Sequence, residues 1–173
     1  MGSPLKAFET DYAELHAFLL ENNQLSMANF LENHSRKIYL LSCASYYENQ
    51  ITRILEQFIR SHTDDERLAV LAMNCAVNRK YHTYFNWDQI SSIGSFLGLF
   101  GFDFKVRIQA EIKKDPERAQ QIEAFLIIGQ ERNKMMHRNY LEYTLEKTFP
   151  ELRLLNARAS AFLQWLGEVF DAP

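Results

Sequence analysis

The sequence predicts an all-α fold, a bundle of long antiparallel helices in a single domain spanning residues 1–173. Three observations carry this expectation. Apolar residues recur three and four apart through most of the chain. Alternating, strand-like segments are absent. No repeat, low-complexity stretch or linker divides the sequence. With 173 residues, 47% of them apolar, the chain is long enough and apolar enough to bury a real core.

The first helix is expected over residues 5–21, where Leu5, Phe8, Tyr12, Leu15, Phe18 and Leu19 form a broad stripe opposite Glu9, Asp11 and Glu14. Asn22-Asn23 stops it, and Ser26 is placed to cap the next helix or a short turn. Residues 33–60 read as one long helix unbroken by glycine or proline, about 40 Å at 1.5 Å per residue. Its apolar face includes Ile38, Leu41, Ala44, Tyr47, Ile51, Leu55 and Phe58. Glu48 sits in its middle, where an acid either finds a partner or faces water.

Asp64-Asp65-Glu66 opens a helix running to about Val77, its acids at the positive end. Residues 78–86 read as a connection containing Arg79, Lys80 and His82. Asn86 or Asp88 caps a helix holding Ile90, Ile93, Phe96, Leu97 and Phe100, weakened by Gly94, Gly98 and Gly101. Residues 102–114 are a further amphipathic piece. Asp115-Pro116, a capping acid and then proline at the first helical position, starts a helix expected to reach about Tyr143. Pro150 opens the last helix, with Leu152, Leu155, Ala159, Phe162, Leu163, Leu166 and Phe170 on its apolar face.

Lysines and arginines number 19 against 22 acids, a net charge of −3. That argues against a generally basic nucleic-acid coat. Any RNA contact must use a local patch such as Arg132, Lys134 and Arg138, which otherwise are a solvated helix face. Cys43 and Cys75 lie far apart in apolar surroundings and read as free buried thiols of a reducing cytoplasm. No Cys-x-x-Cys pair or His/Cys cluster suggests zinc, so neither metal nor cofactor is expected. The start, Met1-Gly2-Ser3-Pro4, lacks the charged region and apolar core of a signal peptide and fits an expression-tag remnant. The longest apolar run, residues 38–47, is too short to span a bilayer. The expectation is a soluble, cytoplasmic protein without a membrane partner.

Residues 130–140, reading Gln-Glu-Arg-Asn-Lys-Met-Met-His-Arg-Asn-Tyr, concentrate the groups able to do chemistry near neutral pH. On a helix, Asn133 and His137 are four apart, and His137 and Tyr140 three apart, so the three form one polar stripe. Arg132 lies roughly 140° around the helix from His137. Its flexible side chain can curl toward the imidazole or reach a second copy of the helix. Met135 and Met136 suit a packed helix surface or a contact with another helix. His137 can take and give a proton near neutrality. Arg132 stays charged and can grip a phosphate with two prongs. Asn133 can orient the ring or donate to a phosphate oxygen. These groups suit attack of an RNA 2′-hydroxyl on its own phosphate. If His137 only packed, its ring would be buried and fully hydrogen-bonded.

The segment Arg132-Asn133-Lys134-Met135-Met136-His137 resembles the hallmark of the HEPN superfamily: Arg, a polar residue, three more residues and His. Ser45-Tyr46-Tyr47-Glu48 on the long early helix looks like that family's Ser-x-x-Glu segment. Residues 96–104, with Gly98 and Gly101, resemble its Phe/Gly-rich stretch. The likeness covers roughly residues 33–166 and is nearest to the branch called RiboL-PSP-HEPN. One toxin branch carries Tyr two residues after the motif His. Here Asn139 holds that place and Tyr140 follows it, so the chain is not assigned to that branch.

The resemblance implies a HEPN-like bundle that dimerises with its motif helices facing across a two-fold axis. It implies a metal-independent endoribonuclease of toxin–antitoxin or anti-phage systems. Arg132 and His137 would be the catalytic pair, Asn133 a phosphate-orienting residue and Glu48 a support for Arg132 or His137. Tyr140 is a further candidate. The implied partners are RNA, a second copy of the chain, and an antitoxin or other defence protein. The alternative is a non-catalytic module of the same bundle that binds RNA or a partner protein, with Met135 and Met136 in the contact.

Overall fold

The computed structural model describes residues 4–171. Met1, Gly2 and Ser3 of the tag-like start lie outside the described residues. The described residues form helices α1 (Pro4–Glu21), α2 (Leu25–Ser61), α3 (Glu66–Ala72), α4 (Tyr81–Tyr84), α5 (Gly94–Gly98), α6 (Phe102–Lys114), α7 (Pro116–His137) and α8 (Phe149–Asp171). A π-helical turn, Met73–Val77, follows α3 directly. No strand occurs among the described residues.

The helix α7 is the centre of the packing. Asp115 caps it by accepting from the backbone N–H groups of Glu117 (3.0 Å) and Arg118 (3.1 Å), and Pro116 occupies the first turn. Ala124, Phe125, Leu126, Ile128 and Gly129 are all buried. At 100° per residue they cover an arc of roughly 200°. Such a helix needs neighbours on several sides, and α2, α6 and α8 supply them.

The side-chain pairs set the helix directions. Phe8 faces Tyr39 and His16 reaches Glu32, so α1 and α2 run antiparallel. Tyr47 meets Phe125 and Lys37 meets Tyr140, so α2 is antiparallel to α7. Phe125 meets Phe162 and Arg118 lies over Trp165, so α7 is antiparallel to α8. The pair α2 and α8 departs from the expected pattern. Tyr47 donates to Asn156 Oδ1 (2.7 Å) while Phe58 packs on Phe170, so these two run parallel. The buried aromatic set Tyr39, Tyr47, Phe96, Phe125 and Phe162 joins all these helices in one core.

Several boundaries differ from expectation for local reasons. The helix α2 begins eight residues early, at Leu25, and Ser26 lies inside it without capping it. The turn before it is tight. Asn23 takes a left-handed φ of 57°, which asparagine tolerates, and Gln24 N–H donates to Leu19 at 2.8 Å. The α3 helix keeps its Asp65 cap but widens into the π turn before Val77. The long helix expected after Asn86 or Asp88 shrinks to α5, and residues 86–93 form turns. Asn86 folds that segment back, accepting Gln89 N–H on its carbonyl (3.0 Å) and Asp88 N–H on its side chain (3.2 Å). The last helix starts at Phe149, behind a reciprocal cap between Thr148 and Glu151 that the Thr-x-x-Glu spacing already spells.

Cys43 is buried, and burial pushes its thiol up to about 12. Cys75 is exposed rather than buried, because the π turn rotates it outward. Among the described residues no helix is long and apolar enough to cross a membrane.

A Cβ added at Gly129 would overlap the six-membered ring of Trp87. Gly129→Ala is therefore expected to cost about 1–3 kcal/mol as the indole is pushed out. The midpoint Tm should drop by about 2–4 °C per kcal/mol, with a shift in tryptophan emission. An unchanged melting curve and emission spectrum would show that Trp87 does not rest on α7.

Candidate active site

The last two turns of α7 carry the chemistry. Asn133 and His137 share a face, as their spacing requires, and both line an open cleft of about 590 Å³. The opposite wall is Phe85, Asn86, Trp87 and Asp88. That wall is tied to α7 twice. The Trp87 ring rests over Gly129, and Gln130 Nε2 donates to the Trp87 carbonyl at 3.0 Å. His137 is exposed and makes no hydrogen bond among the described residues. A ring that only packed would be buried and bonded, and His137 is neither.

Tyr140 is not part of this stripe. The helix ends at His137, and Arg138 turns to an extended backbone. Two interactions stop it. Asn139 starts a tight turn, its carbonyl accepting from Glu142 and Tyr143 and its side chain from Leu141 N–H. Lys37, only 4% exposed on α2, donates to the Tyr140 carbonyl at 2.8 Å and lies 5.0 Å from the Tyr140 ring centre. A buried ammonium needs such partners, and it draws the chain off the helical path. Burial also raises the Tyr140 phenol above its usual range.

Arg132 does not line the cleft with His137. Its Nη1 donates to Asn133 Oδ1 at 3.0 Å and lies 3.5 Å from His82 Nδ1. No carboxylate pairs with it among the described residues. The guanidinium thus turns to the α4 side of the helix, away from its own imidazole. Within one chain the proposed catalytic pair is split across two faces, and Asn133 belongs to both.

The other candidates sort by their partners. Lys134 is held by Gln130 and Glu131, both at 2.9 Å, so much of its charge is spent within its own helix. Arg138 lies over the Tyr143 ring at 5.9 Å. Glu48 makes no hydrogen bond or ion pair with Arg132 or His137 among the described residues. It lines a second cleft of about 570 Å³ with Arg79 and Tyr81. Its connection to Arg132 runs through the buried Tyr81, whose phenol is raised first by burial, then by the Glu48 charge, and is lowered by the Arg132 charge. Met135 is fully buried, so of the two methionines only Met136 offers itself to a partner.

His82, Trp87 and Lys37 are the site residues that spacing does not reveal. His82 stands fifty positions before Arg132, and no local pattern links them. The available signal is Gly129, the one glycine of α7 and a mark of close approach.

Comparison with protein-family models, with curated proteins and with solved structures finds no match to this chain.

Glu131 supports the segment beyond the helix. Burial alone would push its carboxyl up, but the Tyr143 hydroxyl (2.7 Å) and the Lys134 ammonium together hold it below the usual glutamate range. A depressed carboxyl contributes stability above its unfolded pKa, about 4.3. That contribution is lost as pH falls through the lower folded value. Glu131→Gln is expected to cost about 1–2 kcal/mol at pH 7, the gap to the parent closing in acid below that range. A gap that persisted unchanged to low pH would show that the carboxylate charge is not what holds Tyr143.

Proposed function

We propose that this chain is a metal-independent endoribonuclease of the HEPN type, acting as a homodimer through the α7 helices. The observation that carries the reading is the exposed, unbonded His137 imidazole set beside Asn133 in an open cleft, on the same two turns as an Arg132 guanidinium with no carboxylate partner. Metal independence and dimerisation rest on the sequence resemblance. The side chains suffice for the step. One imidazole takes the proton of the 2′-hydroxyl, and the freed oxygen attacks the adjacent phosphorus. The 5′-oxygen leaves and receives a proton from a second imidazole. A guanidinium stabilises the charge on the non-bridging oxygens. The products are a 2′,3′-cyclic phosphate and a 5′-hydroxyl.

The split of Arg132 and His137 across one helix supports a shared site. A two-fold axis beside α7 would bring the arginine of one copy toward the histidine of the other and supply the second imidazole. In this reading Asn133 orients the phosphate, Arg138 and Lys134 lend positive charge, and the protein serves as a toxin or anti-phage effector restrained by an antitoxin. A non-catalytic interaction module is the second reading. It is favoured by the exposed apolar pair Met136 (57%) and Leu141 (72%) beside the cleft.

Purified protein incubated with total cellular RNA in EDTA should cleave it. His137→Ala and Arg132→Ala should each lower the rate at least about 100-fold, with helix content and oligomeric state unchanged. Equal cleavage by the parent and both variants would place the site elsewhere. Absence of cleavage by all three, together with no toxicity in cells, would favour the interaction module.

A further inference from the structure

We infer that His82 is a positioning residue for Arg132: its Nδ1 and the Asn133 side-chain oxygen hold one guanidinium nitrogen, so that the remaining donors face an RNA phosphate. The inference deepens the nuclease reading above and rests on it for its functional half.

Both acceptors act on the same atom, Nη1, at 3.0 Å from Asn133 Oδ1 and 3.5 Å from His82 Nδ1. The guanidinium has five N–H donors in a rigid fork, so Nε and Nη2 stay available. Both acceptors are neutral. A carboxylate would orient the arginine equally well but would cancel much of the charge a phosphate needs. An amide and an imidazole orient it and leave the charge whole. The contact also sets the ring's tautomer. Nδ1 can accept only if it carries no proton, so the hydrogen sits on Nε2 and points away from Arg132.

The placement of His82 is built rather than incidental. Its carbonyl accepts from the Trp87 indole N–H at 3.1 Å. The Trp87 ring rests over Gly129, three residues before Arg132 on the same helix face. On either side of His82 the short α4 helix is nailed down. Tyr81 is buried against Trp87, and the Tyr84 hydroxyl donates to the Ala76 carbonyl at 2.5 Å. The backbone that carries His82 is thus registered to the helix that carries Arg132. Immediately upstream, Arg79 takes a left-handed φ of 63°, a conformation non-glycine residues seldom hold without cause.

The test uses the full chain in two arms. In the free protein, ¹⁵N spectroscopy should show His82 as the Nε2–H tautomer. Rotation of the Arg132 guanidinium should be slower in the parent and in His82→Asn than in His82→Ala, because the asparagine oxygen stands where Nδ1 stood. On an oligoribonucleotide that the parent cuts, His82→Ala should lower kcat on the order of 100-fold with little change in KM, and His82→Asn should restore most of it. An Nδ1–H tautomer, or equal Arg132 mobility in all three proteins, overturns the contact whether or not RNA is cleaved. Unchanged kcat in His82→Ala overturns its functional role. Loss in both variants overturns positioning and would make His82 an acid or base in its own right. A parent that holds the contact but cuts no RNA removes the nuclease reading alone.

Discussion

The close approach of Trp87 to Gly129 is the constraint on which the rest of the site depends. With no side chain at position 129, an indole can lie directly on α7, where any Cβ would collide with it. The ring carries a stretch of chain with it. Its carbonyl is bound by Gln130, its N–H holds the backbone at His82, and Phe85 and Tyr81 pack on its faces. One missing methyl group therefore docks the whole 81–88 segment against the motif helix. It creates the cleft before His137 and brings His82 to Arg132.

The helical pattern made much of this fold legible, and the reasons are local. Asp115-Pro116 and Asp65 mark helix starts by hydrogen bonds made within three residues, so they can be read from the chain alone. The pairing of Asn133 with His137 on one face is likewise pure helical geometry. What failed to show depends on distant partners. The helix α7 stops at His137 because a buried lysine on α2 captures the Tyr140 carbonyl, and nothing in residues 130–143 reports Lys37. The expected helix from Asn86 is lost because Trp87 is claimed by α7. The parallel alignment of α2 with α8 follows from how the intervening helices pack, not from the face that either displays.

Electrically, the site is a place of unspent charge. Most cations near it are already engaged: Lys134 with Glu131, Arg138 over Tyr143, Lys37 with Tyr140. Arg132 alone among the motif cations is oriented by neutral groups. In a chain of net charge −3, one oriented and uncompensated guanidinium can hold a phosphodiester where a diffuse basic coat is absent.

The π turn at Met73–Val77 gives the connection to the site an unusual relation to length. A π turn holds one more residue than the α-helical path it replaces. Removing one residue would restore the ordinary path and swing everything downstream by roughly 100°, carrying His82 away from α7. Exposed positions such as Asn74 and Cys75 are free to vary in kind. The number of residues between α3 and α4 is not. Among descendants of such a chain, drift would thus be recorded here in substitutions, while insertions and deletions were purged.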